Sequence, residues 1–458
     1  MTVSTASLGI PQGIVNLIQD RTLERVFNDA LFPKLLYRAE AMPELWLANL
    51  GERMTFTRAG LIDVDTTPLT PGTDPGNAEY PFEQWEAEAA QYGKSLDTHM
   101  PTSNVSLAPT FLRNIVQLGL NAGQTMNRLT RNPLFRAYSG GNSVALAAAA
   151  ATTVRVANLN GFTEQVQDAR VSPVSPSNPL AVTFPGTAVL ANTVVGFAPD
   201  DVNNPFGPGT LTLGATLSAA LAPRDAVVAR TASEVYRVGG GTTVDGVGGA
   251  NILTLQDVIN VVAQMRTNNV PPTADGYYHV HVSPQGEAQL FADNQFQRLY
   301  QSLPDSAAYR DLAIGQLVGC RFYRNTENPN VQNSGALVDT STDARSAGNI
   351  GAEVVNDGGT QIQRTSVLGG GAIYEKYLDE SKYITEAGVT GKIGEFSVIN
   401  NGAAVMTNRI RLILRAPLDK LQQVVSTSWS WSGDFPVPSD GATGSASRYK
   451  RATVIEHG

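Results

Sequence analysis

One cysteine, Cys320, in 458 residues excludes an internal disulfide framework and any multi-cysteine metal centre. A lone thiol of this kind reads as a small buried hydrophobe. Charge is also scarce: charged side chains make up 16% of the chain, against roughly a quarter in ordinary soluble domains. The formal balance of -8 and the pI near 5.2 give no general electrostatic footprint for nucleic acid, which recruits clustered Lys and Arg. Any contact with DNA is expected to be local. Four histidines leave few bases for a Ser-His-Asp triad, and there is no GxSxG elbow and no HExxH pair. No run approaches the roughly 18 apolar residues that span a bilayer; the longest candidate, SVALAAAAATTV, is short and dominated by alanine. The opening MTVSTASLGIPQGIVNLIQD lacks a basic segment followed by a continuous apolar one, so no signal peptide is expected. The chain is expected to be made in the cytoplasm, soluble and reduced.

What the chain has in quantity is glycine (43) and proline (26), the mark of a turn-rich fold. Its length allows roughly two to four domains. Near the start, LERVFNDALF places Leu23, Val26, Phe27, Ala30 and Leu31 on one helical face, with the rest of the first fifty residues reading as an extended arm. MTFTRAGLIDV, the turn-rich TTPLTPGTDPGNAEYP and FEQWEAEAAQYGKSLDT then read as a long two-stranded excursion with a flexible tip. Such a hairpin has little core of its own. From Pro109 to about Arg131, Leu112, Ile115, Val116, Gly119, Ala122, Met126 and Leu129 recur at helical spacing, and Asn132-Pro133 is expected to end the helix.

Residues 151–250 change character: short Val- and Thr-rich runs separated by turns predict a small all-β domain inserted into a mixed host. At TLQDVINVVAQM, Thr254 can cap a helix with Asp257 three residues on, leaving Leu255, Val258, Ile259, Val262 and Met265 on one face. The strand YYHVHV follows, and Ser283-Pro284 supply an N-cap and first turn for a helix or helix pair reaching about Leu303. GCRFYRN and RIRLILRAP are further strands, Val331 to Gly371 is glycine-rich and polar, and the sequence closes on QQVVSTSWSWSGDFPVPSDGATG and the basic RYKR.

Several features look chemical and are better explained otherwise. His279 and His281 share one face of a strand, about 7 Å apart, which permits a shared metal. No third ligand of suitable spacing accompanies them, Glu287 and Asp293 being assigned to the following helix, so the pair reads as the polar face of a half-buried strand. RVGGGTTVDGVGG and LGGGAIYEK lack both the strand-GxGxxG-helix context and GKS or GKT, and read as loops. Glu86 and Glu88 on one strand face, with Glu83 opposite, suit a solvated edge better than an acid/base pair. Trp429 and Trp431 lack the basic neighbours of a base-stacking platform; packing or subunit contact explains them.

The order of elements and some local phrases carry a resemblance. FEQWEAEAAQYGKSLDTHM followed by FLRNIVQLGLNAGQTMNRLTRNPLFRAYSGGNS is similar to the E-loop return strand and spine helix of tailed-bacteriophage major capsid proteins, the Hong Kong 97 type fold. YYHVHVSPQGEAQLFADNQFQRLY and IGQLVGCRFYRNTENP are similar to the capsid phrase in which a strand ends at His-Pro or Ser-Pro, a helix follows, and a Gly-x-x-x-Gly turn leads into a strand ending at Asn. The resemblance spans nearly the whole chain except 151–250. It implies an α+β fold with an N-terminal arm (1–50), an E-loop (51–105), a spine helix and the start of a peripheral domain (106–150), an inserted β-rich domain (151–250), a peripheral helix (251–276), an axial domain (277–408) and closing peripheral and axial strands with a tail (409–458).

It further implies a non-enzymatic function: self-assembly into hexamers and pentamers of an icosahedral shell around double-stranded DNA. The implied partners are copies of the chain, a separate scaffolding protein, a portal, a decoration protein, and DNA held by weak non-specific contact; no membrane, cofactor, metal or catalytic residue is implied. Trp85, Tyr92, Lys94, Phe111 and Arg113 are the candidate inter-subunit contacts. Some relatives cross-link an E-loop lysine to a neighbour's asparagine; Lys94 stands on the return strand, but no partner Asn or assisting Glu can be assigned. A tail or fibre protein, and an enzyme with a β-rich binding insertion, are the alternatives. The first would not need the long helix, and the second lacks a catalytic set.

Overall fold

The computed structural model describes residues 12–31, 36–46, 53–59, 82–101, 110–146, 152–301, 316–337, 354–438 and 451–458, with short gaps inside these ranges and isolated positions between them. The fold is α+β, in two compact units: one of Met1–Met54, Glu86–Arg131 and Ile373–Pro436, the other of Thr55–Trp85, Asn132–Ala372 and Val437–Gly458.

The first unit is built on an eight-stranded sheet. Its path runs Met42–Trp46, Tyr374–Leu378, Val424–Asp434, Ile410–Arg415, Gly402–Thr407, Phe396–Ile399, Gly391–Ile393, and Ala90–His99 joins at Val424–Asp434. The strict alternation of RIRLILR appears as Ile410, Leu412 and Leu414 buried. Asn408 and Arg409, both at positive φ (46° and 63°), make the two-residue turn between Gly402–Thr407 and Ile410–Arg415, the twist that tight hairpins favour.

The helix expected at LERVFNDALF is present, but residues 12–19, expected in the extended arm around it, are helical too. Residues 12–31 form two helices, Gln12–Gln19 and Thr22–Leu31, because Ile14, Val15 and Ile18 on the first and Leu23, Phe27 and Leu31 on the second are all buried; extended backbone would scatter those apolar positions. The second helix crosses the long helix Thr110–Ser139 at Gly119, where a Cβ would lie 2.7 Å from the Phe27 carbonyl oxygen. The long helix also overruns its predicted end. Pro133 lies inside it and removes one backbone donor, but the turn beyond is held by buried Leu134, Phe135 and Tyr138, by Tyr138 Oη donating to the Ala372 carbonyl (3.1 Å) and by Ser139 Oγ donating to the Phe135 carbonyl (2.5 Å).

In the second unit, Tyr278–Val282 and Cys320–Arg324 pair in parallel, which requires a crossover; the helices Pro284–Ala292 and Asn294–Gln301 lie in it. Ser283 caps the first of these through the Gly286 N–H, with Pro284 at its first position, as expected. The reciprocal Thr254–Asp257 capping box opens the helix Leu255–Thr267, also as expected. Val258, Val262, Met265, Tyr278, Val280, Val282, Phe296 and Phe322 share one core. The sheet runs Tyr236–Arg237, Ala452–His457, Val354–Leu368, Tyr278–Val282, Cys320–Arg324, Gln316–Leu317.

The β-rich segment begins before residue 151 and ends before 250. Six strands, in the order Asn142–Val144, Ala226–Ala229, Leu180–Phe184, Leu190–Pro199, Gly209–Leu213, Thr153–Val156, form one sheet. Its two ends meet: Ala157 N–H donates to the Val144 carbonyl (3.0 Å) and Leu146 N–H to the Arg155 carbonyl (2.8 Å), with Ala145 bridging Val156. The closed sheet wraps a core of its own, including Val154, Phe162, Leu180, Phe184, Val194 and Leu211. Tyr236–Arg237, expected inside this segment, pairs instead with Ala452–His457. Ile373–Pro436, which runs across the position 408 expected as a boundary, belongs to the first unit.

Candidate assembly surface

The excursion after Gly51 yields a two-stranded ribbon, Arg53–Ala59 with Phe82–Glu88; most of residues 60–81, the expected flexible tip, lie outside the described residues. On the return strand Trp85 and Ala87 are buried while Glu86 and Glu88 face solvent, the solvated edge anticipated for them. Trp85 stacks on Phe56 (5.8 Å between centroids). The Arg53–Glu88 pair, 3.3 Å apart and exposed, adds little stability.

After Ala89 the chain re-enters extended structure as Ala90–His99 and runs antiparallel along Val424–Gly433, with Tyr92 opposite Trp431 and Lys94 opposite Trp429. Residues 426–430 pair on their other side with Arg411–Arg415. Both tryptophans are buried. Trp429 Nε1 donates to Asn121 Oδ1 of the long helix (3.2 Å), and Trp431 stacks with Tyr92 (6.0 Å) and Phe435 (5.0 Å). Burial, and secondarily the Asp434 carboxylate, push the Tyr92 phenol above its ordinary pKa. The outer edge of residues 90–98 carries no strand among the described residues. An edge of this kind is a template for backbone pairing with another chain. The opposite boundary strand, Met42–Trp46, carries Pro43, which cannot donate.

The five candidate contacts therefore separate. Lys94 and Arg113 are exposed, Tyr92 is half-buried, and Trp85 and Phe111 are buried within the chain, at 7% and 4% exposure. Phe111 is a packing residue, leaving little surface for a neighbour.

Buried charge, invisible to local pattern, organises both units. In the first, Arg38 (2% exposed) donates to Glu375 (0% exposed) at 2.5 Å and to the Asn408 carbonyl at 3.0 Å, while Arg409 approaches Glu375 at 3.2 Å. Burial lowers the Arg38 pKa and Glu375 opposes that shift. Lys376 pairs with Glu44, and Arg411 (2.9 Å), Ser430 Oγ and Ser432 Oγ converge on Glu380. In the second, Arg324 donates to Glu287 at 2.5 Å, and Arg237 and Arg364 flank Glu456. Partners more than 300 positions apart, as Arg38 and Glu375 are, leave no spacing signal in a single sequence.

The paired histidines hold no metal-type cluster: among the described residues no group of three or more His, Cys, Asp or Glu could take an ion. His281 is buried rather than on a half-exposed face, its ring stacked on Tyr323 (5.3 Å) and its Nδ1 3.3 Å from Asn325 Nδ2. His279 Nε2 lies 2.9 Å from Asp275 and 3.0 Å from Thr273 Oγ1. Burial pushes the Asp275 carboxyl up, but hydrogen bonds from Thr273 and His279 outweigh it and hold the group far below the usual range. Cys320 is buried, and burial raises its pKa to about 11, so it stays an unreactive thiol. No described helix is long and apolar enough to cross a membrane.

No family model and no curated protein matches the chain. Among solved structures it is similar to the capsid of Ralstonia phage GP4 (12% identity, covering 91% of this chain and 86% of that chain, TM-score 0.46), the capsid asymmetric unit of cyanophage Pam1 (11%, 92% and 89%, 0.47) and the capsid of cyanophage P-SCSP1u (10%, 92% and 86%, 0.44).

Proposed function

We propose that the chain is a structural shell protein, the major capsid protein of a tailed phage, which closes into hexamers and pentamers around double-stranded DNA. The observation that carries this reading is the return strand: Ala90–His99 is built into the sheet along Val424–Gly433 on one side and, among the described residues, has no strand on its other edge, with Lys94 opposite Trp429, which bonds Asn121 of the long helix. An open ten-residue edge on a rigid support is a device for joining copies. The order of elements supports the same conclusion: a short helical arm, a ribbon, a thirty-residue helix and two sheets. Many weak contacts of this kind become effectively intramolecular once a ring forms, and symmetry repeats each one.

In this reading the chain is synthesised in the host cytoplasm and functions in the virion, the closed β-sheet of residues 142–229 is an insertion into the minimal fold, and a separate scaffold, a portal and a decoration protein are its partners. Its acidic balance suits a container that does not grip packed DNA. Electron microscopy of the protein expressed with the scaffold of its own phage tests the reading: capsomer rings or closed shells are expected. Rods or fibre-like trimers would replace it with a tail or fibre role, and dispersed monomers would end it.

A further inference from the structure

The strand Ala452–His457 fills an inner position in its sheet. Six of its residues pair antiparallel with Gln363–Leu368, and on the other side Ile455 and Glu456 pair in parallel with Tyr236 and Arg237. Side chains read it as closely as the backbone does. Glu456, 1% exposed, lies between Arg237 (Nε at 2.9 Å) and Arg364 (Nε at 3.0 Å), both also buried. Burial alone would raise the Glu456 pKa, but the two guanidiniums outweigh it and hold the group ionised. His457 Nε2 faces Thr365 Oγ1 at 3.1 Å, and its ring packs so closely on Gly286 that a Cβ there would lie 2.9 Å away. Gly458 N–H donates to the Asn251 carbonyl (3.0 Å), and Gln289 Nε2 donates to the Gly458 carbonyl. Withdrawing the strand would strip two buried guanidiniums of the carboxylate between them, a strongly unfavourable state.

None of these partners is near the strand in sequence. The chain reaches the slot only after building the segment Ile373–Pro436 of the other unit, and residues 439–450 are the covalent tether in sequence. The slot reads the strand and not the tether: the same strand from a second copy meets the same arginines, Thr365 and Asn251. Exchange of an identical element between copies is a low-cost route to association.

We infer that this slot accepts Ala452–His457 from a second copy of the chain, with Glu456 as the residue that specifies it, so that neighbouring copies are linked by strand exchange. The inference rests on the assembly reading above, which supplies the high local concentration at which a short tether reaches a neighbour's slot.

Two copies with opposite charge changes test it. One carries Glu456→Arg and the other Arg237→Glu with Arg364→Glu, so each alone sets like charges against each other in the slot. Each alone is expected to yield roughly ten-fold less soluble, protease-resistant protein than wild type. Co-expression, with a different affinity tag on each copy, is expected to restore the yield and to co-purify both. Only exchange brings the charge-reversed strand of the first copy into the charge-reversed slot of the second, and the native strand of the second into the native slot of the first. A single chain carrying all three substitutions is the control: if it folds while the co-expressed pair does not, the strand stays in its own chain and exchange is overturned.

A second measurement is independent of the reversed charges. A labelled peptide of sequence Arg451–Gly458 is titrated into Glu456→Arg protein, whose own strand no longer fits. Binding roughly ten-fold tighter than that of the Glu456→Gln peptide is expected, about 1.4 kcal/mol; equal affinity or no binding overturns the role of Glu456. Both readouts score soluble protein, so a failure of the assembly reading shows separately, as copies that exchange strands and never form rings.

Discussion

Two sheets of this molecule treat their edges in opposite ways. The six-stranded sheet of residues 142–229 returns on itself through Leu146, Ala157 and the Ala145–Val156 bridge, so both of its end strands are paired with each other. The eight-stranded sheet of the first unit runs Ala90–His99 along Val424–Gly433, and among the described residues no strand lies beyond it. Closure abolishes the hazard of an open edge, whereas an open edge is tolerated only where it is managed or used. Low charge and high glycine content therefore do not have one meaning: in the closed sheet they serve tight turns around a private core, and in the open one they leave a backbone available. Between the two stands the second unit's sheet, where Ala452–His457 occupies an interior slot and Glu456 fixes it there.

The strongest perturbation tests the independence of the closed sheet. Phe184 is 1% exposed in that sheet's core, and Phe184→Ala is expected to cost about 3–5 kcal/mol. Hydrogen exchange should show the loss confined to residues 142–229, with the amides of Ala90–His99 keeping their protection. Loss of protection in both places would mean that the two sheets unfold as one and that closure confers no autonomy.

The interior slot comes next. In an unfolded chain a histidine takes up its proton near pH ~6.5, while burial holds His457 neutral down to about 4. Between these values the unfolded state binds a proton that the folded state does not. Unfolding free energy from this group is therefore constant above about pH 6.5 and falls as pH drops toward about 4, by up to roughly 3 kcal/mol. Denaturant midpoints measured near neutral pH and again about two units lower should show the fall, and His457→Gln should flatten it; an unchanged slope would place the titrating group elsewhere.

Much of this architecture was legible in sequence where a local rule applied. Thr254 with Asp257, and Ser283 with Pro284, announced helix starts because capping is decided within about four residues. The alternation of Ile410, Leu412 and Leu414 announced a strand for the same reason. Legibility failed where distant packing overrode the local signal. Pro133 marked a helix end that Phe135 and Tyr138 carry through, and Gln12–Gln19 reads as part of an arm until its apolar face meets a buried surface. The site shows the same division. Exposure of Lys94 and the burial of Trp429 and Trp431 follow from the strand pattern, but Phe111, a candidate contact in sequence, is a core residue. The Arg38–Glu375–Arg409 and Arg237–Glu456–Arg364 networks could not be read at all, since each joins segments that only the fold brings together.

The open edge itself can be broken with a pair of neighbouring substitutions. Successive N–H groups of an antiparallel strand point to opposite sides, so of Lys94→Pro and Ser95→Pro one removes a donor to Val424–Asp434 and the other removes a donor from the outer edge. The inward change is expected to cost about 1–3 kcal/mol through an unsatisfied buried carbonyl. The outward change should leave the unfolding midpoint nearly unmoved and lower ring formation in sedimentation. Equal behaviour of the two in both assays would show that the edge joins nothing.

The mildest change concerns Lys94 alone. It is exposed on that edge and lies opposite Trp429 in register, and neither position puts a carboxylate or an asparagine amide within the same strand pair at that point. An isopeptide bond joins the lysine amine to an asparagine side-chain carbonyl held against it, with ammonia leaving, and Trp429, opposite Lys94 in register, offers no such acceptor. Assembled material boiled in detergent is therefore expected to run as monomer, and Lys94→Gln to leave that band unchanged. A ladder of multimers that disappears in Lys94→Gln would show instead that a neighbouring copy completes a reactive site at the edge, and that the open strand is joined covalently rather than by backbone pairing alone.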